Sequence, residues 1–176
     1  MDERTQSPLR HLALLLLDVD GVLTEGALIY TGEQTESKVF NVKDGLGIKM
    51  LQDCGVRIGI VTGRASAALL RRCRELGVDL VFDGISDKGA VLEEILEKAG
   101  CTAEETGFMG DDLPDLALFG KVGVAVAVAD AHENVHNRAD IITAHAGGRG
   151  AVREICEMII KSKGLWQDQL RRWESP

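Results

Sequence analysis

Four short stretches of this chain carry the residue types that phosphoryl chemistry needs, and each closes or closely follows an apolar run. The first is Asp18-Val19-Asp20-Gly21, after the six apolar residues Leu12 to Leu17. Alternate side chains of an extended segment point the same way. Asp18 is thereby placed as a nucleophile, with Asp20 beside it as proton donor and acceptor. The second is Thr62-Gly63-Arg64, where a hydroxyl and freed backbone N–H groups can hold phosphate oxygens. Lys88, directly after Asp87, supplies a positive charge. The fourth, Gly110-Asp111-Asp112-x-x-Asp115, supplies carboxylates for a hard cation, while Asp112 and Asp115 also suit the cap of a helix starting near Leu113. An oxygen-only ligand set favours Mg²⁺ over zinc. A carboxylate attacking a phosphate dianion meets charge repulsion, which a cation and the Lys88 ammonium would offset.

These stretches have to be held together by a scaffold, and its elements are legible. Residues 12–17, 56–61, 78–82, 106–109, 122–128 and 139–143 carry the strand signal. Helical periods lie near 44–54, 65–76, 87–99 and 113–120, and a last amphipathic helix spans about 151–162. Strand-then-helix alternation predicts an α/β fold with a doubly wound, mostly parallel sheet, in which ligands bind outside the carboxyl ends of the strands. One segment breaks the alternation: residues 27–40 form two β-rich runs around Thr31-Gly32-Glu33-Gln34, a hairpin inserted after the first strand. Thr102 and Glu105 have the spacing of a capping box that opens a further turn. Gly147-Gly148-Arg149-Gly150 has the composition of a mobile link. The intervals from Asp20 to Thr62 and from Thr62 to Lys88 are filled by elements already assigned. A single domain over 1–176 without a cap is therefore expected, ending in a helix and tail over about 151–176.

Composition narrows the function classes. The chain has 176 residues with 20 Lys and Arg against 28 Asp and Glu, a net charge of −8, which suits neither a nucleic-acid backbone nor an anionic membrane. The apolar run before Asp18 is too short to span a bilayer, and the polar N-terminus lacks the pattern of a signal peptide. Cys54, Cys73, Cys101 and Cys156 stand far apart, as reduced thiols of a cytoplasmic protein do.

The ordered set DVDGVLT (18–24), VTGR (61–64), DK (87–88) and GDDLPD (110–115) resembles the haloacid dehalogenase superfamily of aspartyl-phosphate hydrolases. The resemblance implies a phospho-aspartyl intermediate on Asp18, with Asp20 protonating the leaving oxygen and later activating water. It implies that Thr62 and Lys88 bind the transferring phosphoryl group. It also implies that Asp18, the backbone carbonyl of Asp20 and Asp111 hold Mg²⁺, supported by Asp112 and Asp115. Many members have Thr two residues after the second Asp; here that residue is Val22.

Further stretches, FNVKDGLGIK (40–49), VAVADAH (126–132) and AGGRGAVREICE (146–157), are similar to the capless family that acts on 3-deoxy-D-manno-octulosonate 8-phosphate, in the lipopolysaccharide pathway. The likeness runs from about Leu12 to Lys163. It implies a sugar acid phosphate substrate touched by Asp20, Asn41, Val42, Lys43, Asp44, Gly45, Lys49, Gly63, Arg64, Arg72 and Lys88. It further implies a homotetramer in which hairpins and C-terminal segments cover neighbouring sites; Arg149 is a candidate for reaching one. A nine-carbon sugar acid phosphate is the alternative substrate. The tail LWQDQLRRWESP has no counterpart in the resemblance.

Two rival readings are weaker. His132-Glu133-Asn134-Val135-His136 spells H-E-x-x-H, but a zinc protease needs it on a sturdy helix and here it lies between two strands. A phospho-accepting receiver domain shares the fold, Mg²⁺, Thr and Lys, yet its acceptor Asp would end the third strand, and Asp53 falls in a helix instead.

Overall fold

The computed structural model describes residues 8–32 and 35–174. The N-terminal segment 1–7, positions 33 and 34 of the expected hairpin turn, and the last two residues of the tail lie outside the described residues.

Six parallel strands form the central sheet: β1 (Leu14–Leu17), β4 (Arg57–Val61), β5 (Leu80–Phe82), β6 (Thr106–Gly110), β7 (Val124–Ala127) and β8 (Ile141–Ile142), in the order β5-β4-β1-β6-β7-β8. Strand β1 is an unbroken run of leucines because both of its faces are covered: Leu15 and Leu17 enter one core cluster, Leu14 and Leu16 the other, and all four are fully buried. On the first face lie α1 (Val42–Asp53), α2 (Ala67–Leu76) and α6 (Ala151–Ser162), contributing Ile48, Leu51, Leu69, Cys73, Ile155 and Ile159. On the other lie α3 (Leu92–Ala99), α4 (Leu116–Phe119) and the short α5 (Glu133–His136), contributing Leu92, Ile95, Leu118, Phe119 and Val135. This is the doubly wound arrangement that the alternation predicts. Strands β2 (Ile29–Gly32) and β3 (Thr35–Ser37) pair antiparallel as the expected hairpin. Among the described residues, no cap-sized insertion lies between β1 and β4 or between β4 and α3.

Some expectations shift, each for a local reason. The helix expected from residue 87 begins only at Leu92, because Asp87 turns the chain first: its Oδ1 accepts the N–H groups of Gly89 at 2.9 Å and Ala90 at 3.2 Å. Lys88 therefore sits in that turn and not at a helix start. The strand expected over 139–143 is reduced to Ile141–Ile142; just before it, the Asp140 side chain accepts the Ala125 N–H at 2.8 Å in place of a backbone carbonyl. Glu105 does reach back to the Thr102 N–H at 3.0 Å, but the turn leads into β6 rather than a helix.

The segment at Gly147–Gly150 departs most from expectation: it is packed, not mobile. A Cβ on Gly147 would lie 1.6 Å from the carbonyl oxygen of Gly21, and the Gly148 N–H donates to Val22 O at 2.9 Å. Asp130 accepts the Gly147 N–H at 2.9 Å, and Asn41 donates to the Gly148 carbonyl at 3.2 Å. The tail also has structure: α7 (Trp166–Glu174) docks beside α1, with Gln169 buried, Arg172 paired to Asp53 at 2.7 Å, and Lys161 over the Trp166 ring. No helix among the described residues is long and apolar enough to cross a membrane. The four cysteines are free.

Candidate active site

The carboxyl ends of β1, β4 and β6 open into one cavity of about 390 Å³, lined by Asp18, Asp20, Thr62, Gly63, Arg64, Lys88, Asp111, Asp112 and Asp115 among others. Parallel pairing sets this up. Leu17 lies opposite both Ile60 and Met109, so the residues that follow each strand emerge side by side. Asp18 continues the ladder by donating its N–H to Met109 O at 3.0 Å. Beyond it the chain turns tightly: the carbonyl of Val19 accepts from the N–H groups of Val22, Leu23 and Thr24. Gly21 has a left-handed φ of 91°, and a Cβ there would fall 2.0 Å from Asp111 Oδ2, so only glycine lets Asp111 come this close.

Lys88 is the electrostatic pivot. Its buried Nζ lies 3.0 Å from Asp18 Oδ1 and 2.6 Å from Asp115 Oδ1. Burial alone would lower the Lys88 pKa, but the two carboxylates overcome it and hold the ammonium above its usual range. The other oxygen of Asp115 accepts the N–H groups of Asp111 at 2.8 Å and Asp112 at 3.2 Å. Asp115 is thus a buttress with both oxygens spent, aligning the loop that carries Asp111. Asp112 caps the 3₁₀ turn Leu113–Asp115, accepting the Leu113 N–H at 2.8 Å.

Ligand oxygens of Asp18, Asp111 and Asp115 lie within 4.8 Å of one another. Burial and the neighbouring carboxylate of Asp115 push Asp18 up to about 6 despite Lys88. Burial and the charges of Asp18, Asp115 and Asp112 push Asp111 up to about 8. Asp111 Oδ1 is buried without a hydrogen-bond partner. Crowded, desolvated carboxylates with an orphaned oxygen fit a hard divalent cation, held by oxygen alone.

Of the other expected substrate contacts, Asp20, Gly63, Arg64 and Lys88 line this cavity. Asn41 caps α1, accepting the Lys43 N–H at 2.9 Å. Val42, Lys43 and Lys49 are exposed elsewhere on the surface. Asp44 is buried; its Oδ1 accepts the Arg153 N–H at the start of α6, and its Oδ2 is buried without a hydrogen-bond partner. Arg72 lies against Gly45, where a Cβ would meet its Nη2 at 2.1 Å, and its guanidinium stands 6.0 Å over the Phe40 ring. Within one chain, then, Asn41, Val42, Lys43, Asp44, Gly45, Lys49 and Arg72 stand outside the cavity around Asp18. Arg149 pairs with Glu25 at 2.8 Å.

Two residues at the cavity were not anticipated. Lys38, just after β3, is buried and forms an ion pair with Asp20 Oδ1. Glu36 binds Arg64 Nη2 at 2.8 Å and approaches Lys38 at 3.6 Å. Their spacing of two suits one face of an extended segment, but nothing local ties that face to Asp20.

The H-E-x-x-H string is not a metal site. His132 Nδ1 accepts the Asn134 N–H at 3.1 Å, and His136 Nε2 donates to Val128 O at 2.9 Å.

Comparison with known proteins places the chain among characterised relatives. The family model of haloacid dehalogenase-like hydrolases matches residues 78–155. The chain is 44% identical over 155 residues to the 3-deoxy-D-manno-octulosonate 8-phosphate phosphatase KdsC of Escherichia coli (strain K12), covering 88% of this chain and 82% of that protein. The crystal structure of the Moraxella catarrhalis 3-deoxy-D-manno-octulosonate 8-phosphate phosphatase, in complex with a magnesium ion, a phosphate ion and KDO, superposes with a TM-score of 0.94 at 36% identity, covering 98% of this chain and 99% of that one. The cobalt-bound Haemophilus influenzae phosphatase superposes with a TM-score of 0.88 at 41% identity, covering 90% and 93%.

Proposed function

This chain belongs to the haloacid dehalogenase-like phosphatases of 3-deoxy-D-manno-octulosonate 8-phosphate, and on that premise we propose that Asp18 is its nucleophile and Asp20 its proton donor and acceptor. The enzyme hydrolyses the eight-carbon sugar acid phosphate to the free sugar acid and phosphate, a step of lipopolysaccharide biosynthesis, with Mg²⁺ as cofactor. Asp18, Asp111 and the Asp20 carbonyl would hold the ion, which supplies positive charge against that of the phosphoryl oxygens. A carboxylate oxygen of Asp18 attacks phosphorus, and the bond from phosphorus to the sugar oxygen breaks. Asp20 gives that oxygen a proton. Water then attacks the phospho-aspartate, passes a proton to Asp20, and frees Asp18. Thr62, Gly63, Arg64 and Lys88 bind the phosphoryl group throughout, while Asp115 and Asp112 fix the loop of Asp111.

The observation that carries this reading is the buried line Asp18–Lys88–Asp115 beside the orphaned oxygen of Asp111. The test is phosphate release from the eight-carbon substrate, a nine-carbon analogue and a simple sugar phosphate, with Mg²⁺ and with chelator, using Asp18→Asn as control. Preference for the eight-carbon acid, abolished by chelator and by the substitution, is expected. Turnover retained by Asp18→Asn would overturn the nucleophile assignment, and indiscriminate release would overturn the substrate.

We propose that the chain forms a single capless domain and that a homotetramer closes its cavity. Leu28, Ile29, Tyr30, Val39 and Val42, around the hairpin, are exposed apolar residues that a second copy would cover. Asn41 to Gly45, Lys49 and Arg72, which do not line the cavity of their own chain, would then meet a neighbour's substrate, Lys43, Lys49 and Arg72 with positive charge. Static light scattering should give about four subunits; a fully active monomer would refute this. Four free cysteines suit a cytoplasmic location.

A further inference from the structure

Asp20 has two carboxylate oxygens, and the structure treats them differently. Oδ1 is held by the ammonium of Lys38. Oδ2 is buried without a hydrogen-bond partner and belongs to a residue lining the cavity; Arg64 Nε stands 3.8 Å away, outside hydrogen-bond range. We propose that Lys38 is a positioning residue for proton transfer: it pins Oδ1 so that Oδ2 is the oxygen that exchanges a proton with the leaving group and with water.

A buried ammonium is costly unless it is matched, since desolvation removes its hydration shell. The Lys38 side chain is only 3% exposed, and its partners are Asp20 and, at 3.6 Å, Glu36. Glu36 in turn holds Arg64 at 2.8 Å, so the hairpin closes a ring of alternating charge, Asp20–Lys38–Glu36–Arg64, of which Asp20 and Arg64 line the cavity. The other buried ammonium, Lys88, is spent on Asp18 and Asp115. A free aspartate carboxylate rotates in a broad, two-fold torsional well, making its oxygens interchangeable. Contact with Lys38 removes that freedom, and an acid has to be held within hydrogen-bond reach of the atom it protonates.

The inference rests on the reading of Asp20 as acid and base. In the first step the Asp18 oxygen bonds to phosphorus, the electrons of the breaking P–O bond go to the sugar oxygen, and the proton on Asp20 Oδ2 goes there too. In the second, water bonds to phosphorus, its proton goes to Oδ2, and Asp18 recovers its carboxylate. Lys38 exchanges no proton in either step.

The experiment compares Lys38→Met and Lys38→Arg with the unaltered enzyme under single-turnover conditions with Mg²⁺, on the sugar acid phosphate and on 4-nitrophenyl phosphate. Nitrophenolate leaves without protonation, so phosphorylation of Asp18 by it does not need Asp20 as acid. Lys38→Met is expected to slow phosphorylation by the sugar phosphate roughly 10–100-fold, and by the aryl phosphate several-fold less. Lys38→Arg should restore most of the difference, and the substrate dissociation constant should change little. Equal losses on both substrates, or no loss, would overturn the proposal and mark Lys38 as structural. If Lys38→Met does not fold by circular dichroism, Lys38→Gln, which keeps a neutral donor on a shorter stem, is put through the same comparison, and the same ratio decides. An unaltered enzyme that hydrolyses neither substrate would instead overturn the phosphatase reading itself.

Discussion

The carboxylate of Asp44, in the first turn of α1, accepts the backbone N–H of Arg153 in the first turn of α6 at 2.8 Å. Helix α6 begins at Gly150, which has no side chain to cap it, so the cap comes from a residue 109 positions earlier in the chain. Burial raises the Asp44 pKa, and the N–H groups of Arg153 and Gly150 pull it back only in part. The ionised form therefore costs the fold something: the group's stabilisation is complete below its unfolded pKa and is lost as pH rises through the folded value.

Two substitutions separate the cap from the charge. Asp44→Ala removes the acceptor and should lower stability by about 1–2 kcal/mol. Asp44→Asn keeps an acceptor without the buried charge and should cost clearly less at neutral pH. Urea denaturation of both variants checks this. Equal losses at neutral pH would refute the capping account.

The crowded carboxylates of Asp18 and Asp111, raised to about 6 and about 8, make a second prediction about acidity. Both folded values exceed the unfolded one, so metal-free protein should be most stable in mild acid and lose stability as pH climbs through that window. Mg²⁺ needs the ionised forms, and should raise the melting temperature more at the alkaline end than at the acid end. Thermal melts with Mg²⁺ and with chelator across this range read the difference; a pH-independent increment would contradict it.

Breaking the buried ion pair should be expensive. Lys88→Met leaves Asp115, 1% exposed, and Asp18 facing each other without a cation between them. The expected loss is about 3–5 kcal/mol at neutral pH. The double variant Lys88→Met with Asp115→Asn should regain part of it. Denaturant midpoints of the two variants decide; no recovery in the double variant would mean that Lys88 acts through packing instead.

Gly147 and Gly55 form a matched pair of tests. Alanine at Gly147 would drive its Cβ into the Gly21 carbonyl and displace the loop of Asp18 and Asp20, so turnover should fall at least about tenfold. Gly55, with φ of 82° and nothing within 4 Å of an added Cβ, carries only backbone strain. Gly55→Ala should cost about 1 kcal/mol of stability and leave turnover intact. Steady-state rates alongside thermal melts separate the two effects.

Gly147 also marks where the sequence stops being legible. Its neighbours Gly148 and Gly150 look like a link by composition alone, because nothing local records that the Gly21 carbonyl passes within contact distance. Asp18, Thr62, Lys88 and Asp111 could be read because each ends or follows a periodic segment, and parallel pairing carries such ends to one edge. Lys38 could not, because the hairpin folds back through tertiary contacts that no period encodes. The role of Asp44 at the start of α6 was equally hidden, because the N–H that its Oδ1 accepts belongs to Arg153, far along the chain. Helix α7 was hidden because its hold on α1 depends on single contacts, Gln169 and Arg172, instead of a broad apolar stripe.

The central place of β1 has a consequence for how the molecule comes into being. Both of its neighbours are synthesised later, β4 from Arg57 and β6 from Thr106. As the polypeptide emerges, four consecutive leucines wait with both edges unpaired until most of the chain has been made, a sticky interval that invites self-association or chaperone capture. Asp18, the proposed nucleophile, precedes Asp111 and Asp115 in the chain, and would become chemically competent only when they arrive. A prematurely terminated product that stops before β6 would carry the attacking group and no means of using it.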